Sequence, residues 1–232
     1  MNYIIWFTLV CVAVYIFFGV ILFNYQNILI YKPNKTDFTT CPLFSEFEKV
    51  TYGETRAYLT KKSSDRIVVF YHGNDVSACD EFEINKVFLD QGYSTLFVEY
   101  AGYAGDRKNP TMEKILKNVE DTIEYLKTND YKNVTVVAES LGTGPAAYHA
   151  HLGKISNLIL ITAYDNFQNV VSYHYPIFPI SFLLKNNFTP DKWLVSYGGK
   201  ASIILADNDE DVPKKIGQKL FETIPSKIKK SM

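Results

Sequence analysis

The sequence predicts an α/β fold: a mostly parallel sheet with helices on both faces, preceded by an apolar helix at the N-terminus. Three observations carry this reading. Short β-branched or aliphatic runs alternate with helix-length segments of 3.6-residue periodicity. Two of these runs, Arg66–Tyr71 and Asn133–Ala138, lead directly into short loops, His72-Gly73-Asn74-Asp75 and Glu139-Ser140-Leu141-Gly142. The second loop opens at once into a helical stretch, Thr143-Gly144-Pro145-Ala146-Ala147, where proline is tolerated in the first turn.

Taking the chain in order, Tyr3 to Phe23 carries no charged side chain over twenty-one residues. That length crosses a bilayer as a helix. A cleaved signal peptide fits less well, because Met1-Asn2 supplies no basic residue and no small-x-small cleavage site follows. We therefore expect a single-pass membrane anchor over residues 1–24 and a soluble domain over 25–232. Lys32 and Lys35 just past the apolar segment favour a cytoplasmic body.

Phe47–Tyr52 and Arg56–Thr60 read as a hairpin around Gly53-Glu54. After the strand at Arg66–Tyr71, Cys79–Gln91 has helical spacing through Phe82, Val87 and Phe88 and ends at Gly92. Ser94–Glu99 is the next strand. Thr111 caps a long helix whose apolar stripe is Ile115, Val119, Ile123 and Leu126. Leu158–Ile161 is a further buried strand. The stretch 164–188 then breaks the rhythm: it is rich in aromatic residues and interrupted by Pro176 and Pro179. It is expected as an insertion over the carboxyl edge of the sheet, acting as a lid or a packed connector. Ile203–Ala206 is read as the last strand and Val212–Ile224 as the last helix, opened by Pro213.

Hydrophobic residues make up 47% and the formal net charge is −1, which describes an ordinary globular chain without the basic surface that nucleic acid requires. The short basic end, Lys227, Lys229 and Lys230, reads as solvated. Cysteines 11, 41 and 79 form no dense framework; Cys41 and Cys79 could pair, but two separate thiols are the expectation. No spacing of cysteine or histidine suggests a metal, and no cofactor is expected.

The stretch Asn133–Tyr148 carries the functional signal. A strand, a tight turn and a helix place Ser140 at an apex, where a serine is held on a strained backbone with its Oγ exposed. Ala138 and Gly142 stand two residues to either side, where strand and helix backbones pass closely. The alternative for Ser140 is a simple helix cap. Together with the His72-Gly73-Asn74 loop, the Tyr25-Gln26 and Leu29–Pro33 stretch, Glu99–Gly105, Ala163-Tyr164-Asp165 and Ala206–Pro213, this turn resembles the α/β-hydrolase superfamily, most closely its membrane-anchored serine hydrolase branch. The resemblance runs from about Asn24 to Ser226.

The resemblance implies an α/β-hydrolase-type sheet and hydrolysis of an acyl ester, a thioester or a lipid, whether a small molecule or an acylated protein. It implies Ser140 as nucleophile, Asp209 as the acid, and the backbone amides of Asn74 and Leu141 as the oxyanion hole. Asp207 and Asp211 are possible substitutes for Asp209, and Asp165 is the runner-up. The same pattern expects a histidine after one more strand, yet none of the four, His72, His149, His151 and His174, follows Asp209. The sequence is therefore read as lacking the last strand and the histidine segment. The expected consequences are an unpaired edge at the strand ending in Ala206 and impaired turnover. The alternatives are an inactive shortened homologue and a membrane-tethered binding protein.

Overall fold

The computed structural model describes residues 2–44, 47–225 and 229–231. Its strands are β1 (Glu48–Tyr52), β2 (Thr55–Thr60), β3 (Arg66–Tyr71), β4 (Ser94–Glu99), β5 (Asn133–Glu139), β6 (Asn157–Ile161), β7 (Lys200–Ile204) and β8 (Lys229–Ser231). Its helices are α1 (Asn2–Ile30), α2 (Phe82–Asp90), α3 (Met112–Thr128), α4 (Thr143–Leu152), α5 (Phe167–His174), α6 (Ile180–Leu183), α7 (Pro190–Trp193) and α8 (Lys214–Thr223).

The strands form one sheet in the order β1-β2-β4-β3-β5-β6-β7-β8. The β1–β2 hairpin and the β2–β4 pair are antiparallel, and every later pairing is parallel. From β3 the chain first steps outward to β4 and then returns to the other side as β5. That reversal makes the carboxyl ends of β3 and β5 the topological switch point, where open α/β sheets bind ligands. The register fixes the level of the two loops there: Tyr71 pairs with Ala138, so residues 72–75 and 139–142 leave the sheet side by side.

The period-two alternation of β3 supplies both cores. Ile67, Val69 and Tyr71 face one side, packed with Ile115, Val119, Ile123 and Leu126 of α3, Ala146 and Ala147 of α4, and Ile216 and Leu220 of α8. Val68 and Phe70 face the other, with Phe38, Phe44, Tyr58 and Phe97, and Phe82 and Phe88 of α2 against them. Thr111 caps α3 as its sequence suggests, its Oγ1 accepting from the Lys114 amide at 3.3 Å.

Three expectations are corrected. Cys41 and Cys79 are joined as a disulfide beneath α2, across a separation of 38 residues; no local sequence signal links the two. The strand at the sheet's far side is not an unpaired edge, because β8 pairs with β7 in parallel, Ala201 opposite Lys229 and Ile203 opposite Ser231. Lys227 of the basic end lies outside the described residues. Finally, β7 begins at Lys200 and ends at Ile204, since Leu205 turns off the sheet to pack on Gly217 of α8.

Helix α1 outlasts its apolar segment by a full turn and more, ending at Ile30. An 18-residue window within it has a mean hydropathy of 2.7, and its length and composition suffice for a bilayer crossing. Its last turns belong to the body of the protein. Gln26 is buried, donating from Nε2 to Leu183 O at 3.1 Å and accepting from the Lys185 amide at 2.7 Å.

Candidate active site

Ser140 sits at the apex between β5 and α4 with φ at +47°, one of four non-glycine residues in the left-handed region among the described residues. Such a conformation costs about 1–3 kcal/mol and persists only where the surroundings over-determine it. The surroundings here are backbone. A Cβ on Gly142 would lie 2.9 Å from the Tyr71 carbonyl carbon, 3.0 Å from His72 O and closer still to Tyr71 O, so the turn is wedged against the end of β3. A Cβ on Gly73 would stand 3.9 Å from Ser140 Cβ and 4.0 Å from Glu139 O, so the two loops are in contact. Ala138, fully buried, fills the position where the usual pattern has glycine, and the turn forms with that extra methyl.

The loop after β3 is held by side chains from elsewhere. Tyr100 donates its hydroxyl to His72 O at 2.8 Å. The Asn74 carboxamide accepts from Tyr103 OH at 2.8 Å and from the Lys32 amide at 3.0 Å, and donates to Ile30 O at 2.5 Å. Asn74 thus ties the loop to Tyr103 and to the end of α1. The other expected oxyanion residue, Leu141, is buried, and its carbonyl accepts from Tyr164 OH at 3.2 Å.

His72 is fully buried, with its Nδ1 2.7 Å from Gly73 O. A carbonyl only accepts, so Nδ1 carries the proton and Nε2 holds the lone pair. Nε2 faces Glu99 Oε2 at 3.5 Å, too long for a hydrogen bond of ordinary geometry. Burial depresses the imidazole pKa to about 4 and pushes the Glu99 carboxyl up to about 8. Near neutrality this is a neutral imidazole beside a protonated carboxyl, packed behind the loop.

Asp209 is half-buried, and its Oδ1 accepts from the amides of Asp211 and Val212 at 3.0 and 2.8 Å, closing the turn before α8. Its charge reaches the other side of the site. Burial, then Asp75, then Asp209 raise the pKa of Glu139, the residue before Ser140. Asp207 is exposed and paired with Lys214, and Asp211 is exposed with its carbonyl accepting from His174 Nε2 at 2.9 Å. Asp165 is buried, and burial raises its pKa; its oxygens accept from the Asn166 amide at 2.6 Å and Asn169 Nδ2 at 2.9 Å, fastening the start of α5.

A cavity of about 420 Å³ opens between α1 and the 164–188 insertion. Asn74, His174 and Asp211 share its wall with Gln26, Leu29 and Leu183. The remaining histidines lie elsewhere. His149 is buried with Nδ1 2.9 Å from Tyr71 OH, its pKa pressed to about 3 by burial, and His151 is exposed on the last turn of α4.

Among solved structures the chain is similar to the esterase Pf2001 of Pyrococcus furiosus, with a TM-score of 0.68 at 17% identity, covering 87% of this chain and 88% of that one. This chain has the α/β-hydrolase fold. Another structure with this α/β-hydrolase architecture is Est1E of Butyrivibrio proteoclasticus, solved with ferulic acid bound, with a TM-score of 0.62 at 15% identity over 80% of this chain and 88% of that one. In sequence the chain is 28% identical over 175 residues to L404 of Acanthamoeba polyphaga mimivirus, named provisionally as an alpha/beta hydrolase, covering 70% of this chain and 62% of the relative. It is 26% identical over 183 residues to protein ABHD12B of Homo sapiens, covering 69% and 50%. The chain thus spans about half to three fifths of the length of these curated relatives. No family model matches it.

Sequence reasoning missed the Asn74 carboxamide tie, the buried Glu99 and the two tyrosine hydroxyls that fix His72 O and Leu141 O. The available signal was the polar and aromatic run Glu99–Tyr103 at the carboxyl end of β4, one strand from the switch point.

Proposed function

We propose that this α/β-hydrolase domain hydrolyses an ester of an apolar acyl group at a membrane, with Ser140 as the nucleophile. The observation that carries the reading is the +47° φ at Ser140, wedged by Gly142 and in contact with the Gly73 loop. The Ser140 Oγ attacks the acyl carbonyl, and the amides of Asn74 and Leu141 receive the charge that develops on its oxygen. Asp209 serves as the acid. It stands in the turn between β7 and α8, with Asp165, which fastens α5, as the runner-up. The apolar α1 anchors the domain in the bilayer. The Cys41–Cys79 disulfide favours an oxidising side of that membrane, against the hint from Lys32 and Lys35.

Among the described residues, His174 is the histidine that shares a cavity wall with Asn74. A second reading, a tethered binding protein that keeps the pocket, draws on the hydrogen bonds that commit His72, His149 and His174 elsewhere. Turnover of p-nitrophenyl butyrate separates the two. Slow hydrolysis abolished in Ser140→Ala is expected, and equal loss in His174→Ala identifies the base. A rate unchanged by Ser140→Ala contradicts the hydrolase reading.

A further inference from the structure

The insertion is fastened along α1 much deeper than its role over the sheet edge requires. Near the body, Asn186 donates from Nδ2 to Asn27 Oδ1 at 2.6 Å, and the Lys185 ammonium lies 3.7 Å from the centre of the Phe23 ring. At the far end, Tyr15 stacks on Phe178 at 5.1 Å between ring centres and 8° between planes, and donates its hydroxyl to Ile177 O at 2.9 Å.

These contacts set a depth. Tyr15 lies eight residues before Phe23, about 12 Å along a helix rising 1.5 Å per residue. A hydrocarbon core of about 30 Å takes some twenty residues, which is nearly all of the charge-free run Tyr3–Phe23. If the insertion stayed in water, only the residues before Tyr15 would remain to cross, about 18 Å of helix. That is too short.

The insertion's tip is chemically suited to immersion. Tyr175–Leu184 carries no charged side chain. Ile177 is 72% and Phe182 84% exposed. Pro176 and Pro179 have no N–H to satisfy. The amides of Tyr175, Phe178, Ile180, Phe182 and Leu184 all find carbonyls within the insertion, as backbone in hydrocarbon must. Lys185, at the level of Phe23, is placed to reach the interface.

We propose that Tyr175–Leu184 is a second membrane contact, dipping into the bilayer beside α1 to roughly the depth of Tyr15. The cavity between them then opens toward the acyl chains, and a membrane-resident ester reaches the Asn74 loop, which touches the Ser140 turn through Gly73, without crossing water. This rests on the reading of α1 as a membrane span.

The test uses the full-length chain in phosphatidylcholine vesicles, with Cys11 replaced by serine and a nitroxide placed in turn at Ile177→Cys, Phe182→Cys, Val10→Cys and Leu152→Cys. Collision rates with oxygen and with a water-soluble nickel chelate report depth. Labels at 177 and 182 are expected to resemble the Val10 label, oxygen-rich and several-fold less accessible to nickel than Leu152, which is exposed on α4. A Val10 label in hydrocarbon with 177 and 182 as nickel-accessible as 152 overturns this proposal and leaves the anchor standing. Nickel access at Val10 as well overturns the anchor and the proposal with it.

Discussion

Gly142 and Asn74 lie on neighbouring loops of one site and are secured by opposite means. At Gly142 two backbones meet so closely that no side chain fits between the turn and the end of β3. At Asn74 a side chain makes three hydrogen bonds, two of them to the backbone at the end of α1 more than forty residues away. The Ser140 turn is thus set by backbone sterics against the end of β3, and the loop after β3 by side-chain polar ties to the end of α1 and to Tyr103. The first kind of construction is stiff and intolerant of substitution. The second couples the loop to α1 and is graded in its response.

The contrast is tested most severely at the turn. Gly142→Ala is expected to cost at least about 3 kcal/mol, because the new methyl meets backbone and nothing flexible can yield; urea midpoints measure it, and a wild-type midpoint would mean the wedge is loose. Next comes the disulfide, which pins the segment before β1 to the turn before α2. Cys79→Ala should cost about 2–4 kcal/mol, and alkylation of membrane-extracted protein should modify Cys41 and Cys79 only after reduction. On the loop side, Asn74→Ala leaves Tyr103 OH, the Lys32 amide and Ile30 O without their partner. A loss of about 1–3 kcal/mol is expected, with an additional fall in ester turnover as the loop amide drifts, read from urea midpoints and kcat/KM together.

The buried pair behind the loop gives a pH signature. Glu99 stays protonated in the folded chain to about pH 8, whereas the unfolded carboxyl releases its proton near 4.5. Between those values the folded state holds the extra proton, so stability falls as pH rises, by about 1.4 kcal/mol per unit. His72 acts oppositely: neutral in the fold down to about pH 4 but charged below 6.5 when unfolded, it lowers stability as pH drops through that window. The two slopes oppose one another between 4.5 and 6.5, and Glu99's stands alone of the pair above it. Glu99→Gln should flatten the decline between about pH 7 and 8 seen by thermal melts. The smallest effect is expected at the apex: Ser140→Gly relieves the positive φ and should stabilise by about 1 kcal/mol.

What was legible follows the same division. The strand and helix pattern, the cap at Thr111, the apolar stripe of α3 and the sharp turn at Ser140 are encoded within a few residues by periodicity and by small side chains, and all are found. The disulfide, the β7–β8 pairing, the continuation of α1 to Ile30 and the Asn74 and Glu99 arrangements depend on partners distant in sequence, which no local pattern announces. Asp209 lies between: its spacing marks it, but the turn it closes with the Asp211 and Val212 amides gives it a structural duty that spacing alone does not reveal.

The most direct test of Ser140 as nucleophile is covalent. The full-length protein in detergent or vesicles is treated with a fluorophosphonate, digested and mapped by mass spectrometry. A single adduct on the Ser140 peptide, absent in Ser140→Ala and weakened in Asn74→Ala, is the predicted result. An adduct elsewhere, or none on the folded protein at any reagent concentration, would contradict it.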